Sequence, residues 1–156
     1  TVTTVSTGAY SEVDGGLVTG LTSTNVTDTW SMSGNALYMA DGMAGTPTNE
    51  TLLTDFSLTM SDDSVQTQSS YDFNYTVAST QLGGSVTLET INPVKADWYA
   101  SYPSEGEIKV SSGNASVWLT AYPSVVRIDY DLDGDGVIDA DPASVTMDWA
   151  AFMSST

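Results

Sequence analysis

The sequence predicts an all-β protein, an antiparallel meander that forms a sandwich or a barrel. Apolar and polar residues alternate with a period of two wherever a pattern can be read, which is typical of strands with one face on a core. Turn-forming residues separate these segments at intervals of about eight to twelve residues. No segment carries the apolar stripe of an amphipathic helix. A single domain over residues 1–156 is expected, because one core suits a chain of this length.

The clearest strands lie in the middle and at the end of the chain. Alternation is plainest at residues 56–60, 71–77, 126–132 and 145–149. Residues 1–8 are β-prone without an evident partner, so they are expected to form an edge strand or a strand donated to a neighbouring subunit. Residues 149–153 can add one short helical turn.

Glycine, asparagine and aspartate mark the expected turns between the strands. These turns are at residues 14–16, 33–35, 62–63, 83–84 and 112–114, followed by an acidic loop. Residues 41–50, which are rich in glycine and include Pro47, are predicted to be a mobile surface loop. Residues 92–105 contain two prolines, which argues against a central strand there.

Composition and charge exclude several classes of function. Twenty acidic residues stand against three basic ones, and the formal net charge is −17. Nucleic acids and anionic membranes attract positive charge, so neither is an expected partner. The chain has no Cys and no His, which removes disulfides, thiolate metal sites and the usual general base. We therefore expect no enzymatic activity. The sequence contains no apolar run of about 18 residues, so it predicts no membrane span.

An acidic segment near the C-terminus is the strongest functional signal. Six aspartates fall within the thirteen residues 129–141, around two glycines. Such close like charges repel one another unless water or a cation neutralises them. The D-x-D-x-D-G spacing is that of a calcium loop, where alternate oxygens point at one ion and a glycine permits the turn. The predicted ligands are Asp131, Asp133, Asp135 and the Val137 carbonyl, with Asp139 or Asp141 completing the set.

This segment departs from the EF-hand in two ways. The bidentate Glu of an EF-hand would fall at the position of Pro142. Strand-like segments, rather than helices, flank the loop. The expectation is therefore a calcium-binding hairpin loop with Ca²⁺ as the cofactor. The alternative is a solvated Asp-Gly turn without a cation, because Asp-Gly alone is a strong hairpin signal.

A second candidate site is an aromatic group in the loop region at residues 92–105. Its members are Trp98, Tyr99 and Tyr102. Exposed aromatic rings stack on sugar rings, so this group would suit a carbohydrate-binding module. The alternative is that the three rings pack over one end of the sheet and anchor the loop. Trp118 and Trp149 have strand-like neighbours and are predicted to lie in the core.

Four motifs within residues 102–152 carry a resemblance to known proteins. They are YPSEG at 102–106, GNAS at 113–116, VRIDYDLDGDG at 126–136 and DWAAF at 148–152. Together they resemble the C-terminal segment of a group of poorly characterised secreted or lipid-anchored bacterial β-rich proteins, which have a D-x-D-G-D-G turn and a terminal T-W-A-x-[LF] motif. The chain departs from that pattern at Asp148, where the group has Thr. The resemblance covers about a third of the chain; it implies a β-meander and an envelope or extracellular location, and no enzymatic activity.

These observations lead to one expected function and one alternative. The expected function is a calcium-stabilised β-domain that acts as a structural or assembly subunit, of the filament or surface-layer type. Its expected partner is a second copy of itself, in a homo-oligomer or filament, and its location is extracellular or at the cell surface, with the periplasm as an alternative. The alternative function is a carbohydrate-binding module with polysaccharide as its partner. The chain begins at Thr1 without Met, so either a leader was removed or the sequence is part of a longer chain.

Overall fold

The computed structural model of the protein describes residues 2–6, 9–43 and 46–154. It confirms the predicted all-β class, because strands make up 69% of the residues and helix only 4%. The strands in this part of the chain are β1 (Val2–Ser6), β2 (Ala9–Gly15), β3 (Val18–Ser23), β4 (Thr27–Met43), β5 (Thr46–Asp63), β6 (Gln68–Ser79), β7 (Gly84–Asp97), β8 (Glu105–Ser112), β9 (Ala115–Ala121), β10 (Val125–Asp131) and β11 (Val145–Asp148). The helix is α1 (Trp149–Ser154), as the sequence predicted for residues 149–153.

All of these strands belong to one antiparallel sheet, a meander in which successive segments pair. The order across the sheet is β1-β2-β4-β5-β6-β7-β8-β9-β10-β11. The strand β3 lies end to end with β2, and both pair with the same side of β4. Within the described residues the first and last strands of this order do not pair, so the sheet stays open and does not close as a barrel.

The N-terminal segment forms an edge strand of its own chain. β1 pairs with β2, with Val2 opposite Val13 and Ser6 opposite Ala9. The sequence showed no evident partner for residues 1–8, and the structure supplies β2. Residues 1, 7 and 8 of that segment lie outside the described residues.

The predicted surface loop at residues 41–50 is wrong where the structure describes it. Residues 41–43 complete β4 and residues 46–50 begin β5, and the two strands pair as a long hairpin. β4 also pairs with β2 on its other side, so its backbone groups find partners within the sheet. A register shift between Asp41 and Gly42 absorbs the irregular sequence. Residues 44 and 45 lie outside the described chain.

Two predicted turns do not reverse the chain and lie instead where two neighbouring segments of backbone approach closely. Residues 14–16 separate β2 from β3 without reversing the chain, and residues 33–35 lie inside β4. A Cβ on Gly15 would lie 2.3 Å from the Ala36 carbonyl oxygen, and a Cβ on Gly34 would lie 2.3 Å from the Gly16 carbonyl oxygen. Only glycine permits so close an approach, so these glycines serve backbone contact rather than chain reversal.

Pro93 lies inside β7, against the prediction that residues 92–105 contain no central strand. β7 continues to Asp97. Its pairing with β8 extends past Pro93 to Lys95, which lies opposite Glu105. The register against β8 shifts between Asn92 and Lys95. Such a bulge leaves backbone groups outside the ladder, and a proline is tolerated there because no ladder hydrogen bond is lost.

The pairing register gives the sheet an apolar face and a polar face. One row of opposed residues on the apolar face crosses five strands through Leu21, Trp30, Met60, Tyr71 and Val94. The accessible surface is 9500 Å², whereas a compact protein of 16.4 kDa would expose about 7,500 Å². Much of the sheet therefore remains in contact with solvent.

The best-packed part of the molecule is its C-terminal end. Trp149 of α1 is buried against Ala121 and Val126, as predicted for a core residue. Its ring stacks on Tyr102 at a centroid distance of 5.9 Å and meets Phe152 edge-on at 6.0 Å. The indole N–H donates a hydrogen bond of 2.8 Å to the Tyr122 carbonyl. This cluster fixes β10, the strand that leads into the acidic loop.

Candidate metal centre

The acidic loop, residues 132–144, connects β10 to β11 and begins at two buried carboxylates. Val126 and Ile128 of β10 are buried on the apolar face, while Asp129 and Asp131 alternate with them on the other face. Asp131 is the last residue of the strand and is only 3% exposed. A buried carboxylate needs hydrogen-bond donors or a cation to offset its lost hydration.

The side chain of Asp131 organises the loop around itself. Its Oδ1 accepts a hydrogen bond of 2.7 Å from the Gly134 N–H, and its Oδ2 accepts one of 3.1 Å from the Gly136 N–H. Both glycines have positive φ, +79° and +83°, which other residues rarely adopt. A Cβ on Gly134 would also lie 2.5 Å from the Asn114 carbonyl oxygen, so the loop packs closely on the β8–β9 turn.

Asp133 and Asp135 each form a local turn with the backbone two residues ahead. The Oδ1 of Asp133 accepts from the Asp135 N–H at 3.1 Å, and the Oδ1 of Asp135 accepts from the Val137 N–H at 2.8 Å. Both are Asx turns, in which a carboxylate bonds the backbone two residues ahead. These bonds hold the two side chains beside Asp131 rather than letting them separate.

The carboxylates of Asp131, Asp133 and Asp135 converge on one point. One oxygen of each lies within 4.8 Å of the others, so the three together can hold a metal ion. Oxygens that bind one calcium ion at about 2.4 Å can be at most about 4.8 Å apart. A carboxylate has roughly four lone-pair positions, so the oxygens keep capacity for an ion beside their backbone bonds. Asp133 and Asp135 are exposed, which leaves the point open to solvent.

The other predicted ligands take different positions. Asp139 closes the base of the loop: its Oδ2 accepts from the Leu132 N–H, and its own N–H donates to the Tyr130 carbonyl, both at 2.7 Å. The converging group does not include it. Asp141 is exposed and also lies outside that group, and Val137 is an exposed residue of the loop.

Asp129, the first of the six aspartates, is neutralised by the protein itself. Its Oδ1 accepts hydrogen bonds from the Arg127 guanidinium, with Nε at 2.9 Å and the nearer terminal nitrogen at 2.8 Å. The Ser144 hydroxyl also donates to that oxygen and so ties the end of the loop to β10. Sequence reasoning missed Ser144 and Asn114, because no local pattern brings those residues to the loop.

The structure places the three aromatic residues of the group at 98–102 in two different environments. Tyr99 is 90% exposed and Trp98 is 45% exposed, in the turn that follows β7. The Trp98 N–H donates to the Thr67 carbonyl at 2.9 Å, which fixes that turn against the preceding hairpin. Tyr102 is 37% exposed and stacks on Trp149. It therefore anchors the segment, as predicted by the alternative in which the rings pack over one end of the sheet. Two rings of the three therefore remain open to a ligand.

Neither a membrane-spanning helix nor a similarity to known proteins indicates a function for this site. Among the described residues, no helix is long and apolar enough to cross a membrane. Comparisons of the chain with protein-family models, with curated proteins and with solved structures gave no significant match.

Proposed function

We propose that the chain is a calcium-stabilised β-domain of the cell surface or extracellular space, and that it serves as a structural or assembly subunit. The observation that carries this proposal is the convergence of Asp131, Asp133 and Asp135 at the end of β10. The role is a non-enzymatic one, in keeping with the absence of Cys and His from the sequence.

The donor set favours calcium over other metals. Three carboxylates offer hard oxygen ligands, and no His or Cys is present to attract a transition metal. Calcium accepts six to eight oxygens in irregular arrangements, whereas magnesium demands a near-ideal octahedron. The Val137 carbonyl, the Asp139 carboxylate and water would complete such a set. Extracellular calcium modules commonly bind with Kd of about 10⁻⁴ to 10⁻³ M, which suits the calcium of extracellular fluids.

Calcium at this loop would stabilise the last hairpin of the sheet. The loop joins β10 to β11, and β10 carries the buried Val126 and Ile128 on its other face. Binding to the folded state alone stabilises it by about 2.7 kcal/mol at a hundredfold excess of calcium over Kd. The loop would therefore be held in one conformation when calcium is bound, and its conformation would be less restrained without calcium.

The open sheet and the charge of the chain support an assembly role. A sheet that does not close leaves strand edges able to pair with another chain. A net charge of −17 opposes contact between copies unless cations reduce it. Divalent cations would thus promote both the fold of the loop and the approach of subunits. The resemblance of residues 102–152 to secreted and lipid-anchored proteins agrees with a location where calcium is abundant.

Negative-stain electron microscopy in calcium and in chelator tests this function. The purified chain is expected to form filaments or ordered arrays in millimolar calcium and to disperse in chelator, since calcium offsets repulsion between subunits. The matched control carries Asp133→Asn and Asp135→Asn, which remove two carboxylates while keeping side chains of similar shape. That variant should stay dispersed in both buffers. Dispersed unmodified chains in calcium would contradict the assembly role.

A carbohydrate-binding module is the second candidate, and one observation favours it. Trp98 and Tyr99 are adjacent and exposed on a turn held by a backbone hydrogen bond. Replacing Trp98 with Ala is expected to abolish retention on a polysaccharide column, because ring stacking supplies the binding energy, while leaving the melting temperature unchanged. Trp118→Ala, in a partly buried ring beneath the Lys109 ammonium, is the control for loss of a tryptophan elsewhere. Retention that survives Trp98→Ala would exclude this module.

A further inference from the structure

The outer edge of β3 is an unpaired strand edge. β3 pairs with β4 on one side, and no other strand of the described residues lies along its second side. β1 stops short of it, since its pairing with β2 extends only from Ala9 to Val13. The N–H and C=O groups on the outer side of β3 are therefore available to another strand.

This edge has none of the features that usually prevent strands from pairing with other chains. Proteins commonly protect edges with charged residues, proline, bulges or very short strands. β3 has six residues, none charged and none proline, and its register with β4 is regular. By contrast, β11 at the far edge of the sheet has four residues and ends in Asp148.

Apolar side chains lie exposed along the same edge. Leu21 is 75% exposed, Val18 69% and Leu17 51%. Leu21 lies opposite Trp30 and so begins the apolar row that crosses the sheet through Met60. A strand added beside β3 would extend that row beyond Leu21 and remove part of the Leu21 side chain from water, which is favourable. Val18 lies on the opposite face of the strand, where an added strand would also reduce its exposure.

We propose that β3 pairs antiparallel with β3 of a second copy, about a two-fold axis at Leu21. This pairing places Leu21 opposite Leu21 and Thr19 opposite Ser23 of the second copy, and keeps the two apolar faces on the same side. An antiparallel strand edge is complementary to itself, so one surface supplies both halves of the interface. The biological use of this interface rests on the assembly function proposed above, although the pairing itself involves no residue of the calcium loop.

The distribution of charge favours a second copy of the chain as the partner of the β3 edge. Residues 15–27 contain no acidic or basic residue in a chain whose net charge is −17. Two copies that meet along this segment bring no like charges directly opposite each other. Asp14 and Asp28 are the carboxylates that flank this segment along the chain. Asp28 lies on the neighbouring strand and accepts a hydrogen bond from Ser23.

Single cysteines test the register, because the chain has no Cys of its own. Opposed residues of an antiparallel pair have Cβ atoms about 4.5–5.5 Å apart, close enough for a disulfide with small adjustment. Leu21→Cys is therefore expected to form disulfide-linked dimers under mild oxidation in chelator, at least about tenfold faster than the control Leu82→Cys. Leu82, at 54% exposed in the β6–β7 turn, is a comparably exposed leucine away from the edge.

Mass measurement provides the second readout. By light scattering in chelator, the unmodified chain is expected at twice 16.4 kDa, Leu21→Lys at the mass of one chain, and Leu82→Lys at the mass of the unmodified chain. Equal cross-linking of the two cysteine variants would overturn the proposal, and so would a dimer unaffected by Leu21→Lys, since another surface would then be the interface. Dimers that persist when calcium induces no filaments would instead reject only the assembly function.

Discussion

Replacing Asp131 with Ala is expected to abolish the calcium response of the protein and to lower its melting temperature even in chelator. The carboxylate is 3% exposed and accepts the N–H groups of Gly134 and Gly136. Each donor left without a partner costs about 1–3 kcal/mol. Together they correspond to a decrease on the order of 10 °C for a domain of this size. The proposed calcium site loses its most buried carboxylate at the same time.

Melting curves in millimolar calcium and in chelator separate the metal effect from the structural one. Calcium is expected to raise the melting temperature of the unmodified chain. The double variant Asp133→Asn with Asp135→Asn should lose that rise, yet melt in chelator at or above the unmodified chain, because it lacks two repelling charges. Asp141→Asn, outside the converging group, should behave like the unmodified chain. Coincident curves for the unmodified chain in the two buffers would rule out a calcium site.

Replacing Trp149 with Ala is expected to produce the largest loss of stability of any single change in the C-terminal core. The ring is 9% exposed, stacks on Tyr102, meets Phe152 edge-on and donates to the Tyr122 carbonyl. Truncating a buried Trp costs about 3–5 kcal/mol, through lost burial and the cavity that remains. Loss of the hydrogen bond leaves the carbonyl without this partner, which adds to the cost.

Urea denaturation gives the free energy of unfolding for this comparison. Trp98→Ala is the matched control, because it removes the same side chain from an exposed turn and should change the free energy by no more than about 0.5 kcal/mol. Trp149→Phe should fall between the two, since it keeps most of the ring but loses the N–H donor. A change below about 1 kcal/mol for Trp149→Ala would show that α1 does not close the core.

The sequence predicted those parts of the fold that depend on local pattern. Alternation along residues 71–77 and 126–132 identified β6 and β10, because each strand has one face more apolar than the other. The glycines near residues 15 and 34 misled the prediction, because a glycine serves a turn and a close backbone approach equally well. Only the strand that lies opposite decides between the two. Pro93 misled it for the same reason, since the bulge against β8 is a property of the pair.

The candidate site was predictable to the extent that it is local. Asp131, Asp133 and Asp135 converge through turns within six residues, so their spacing alone indicates the cluster. The stacking of Tyr102 on Trp149 depends instead on the course of the chain through the four strands between them. No spacing rule encodes such a contact, and the division of the aromatic group could not be read from the sequence.

The order of the strands also bears on how the chain reaches this structure. Every pairing except that of β2 with β4 joins strands that are consecutive in the sequence, so almost no pairing has to wait for a distant part of the chain. Closing short loops costs less conformational entropy than closing long ones, and folds dominated by local pairing form faster than Greek-key arrangements of similar size. A chain of this kind can assemble hairpin by hairpin as it emerges from a ribosome. The acidic hairpin, which joins the last two strands of the sheet, would then be the last to form.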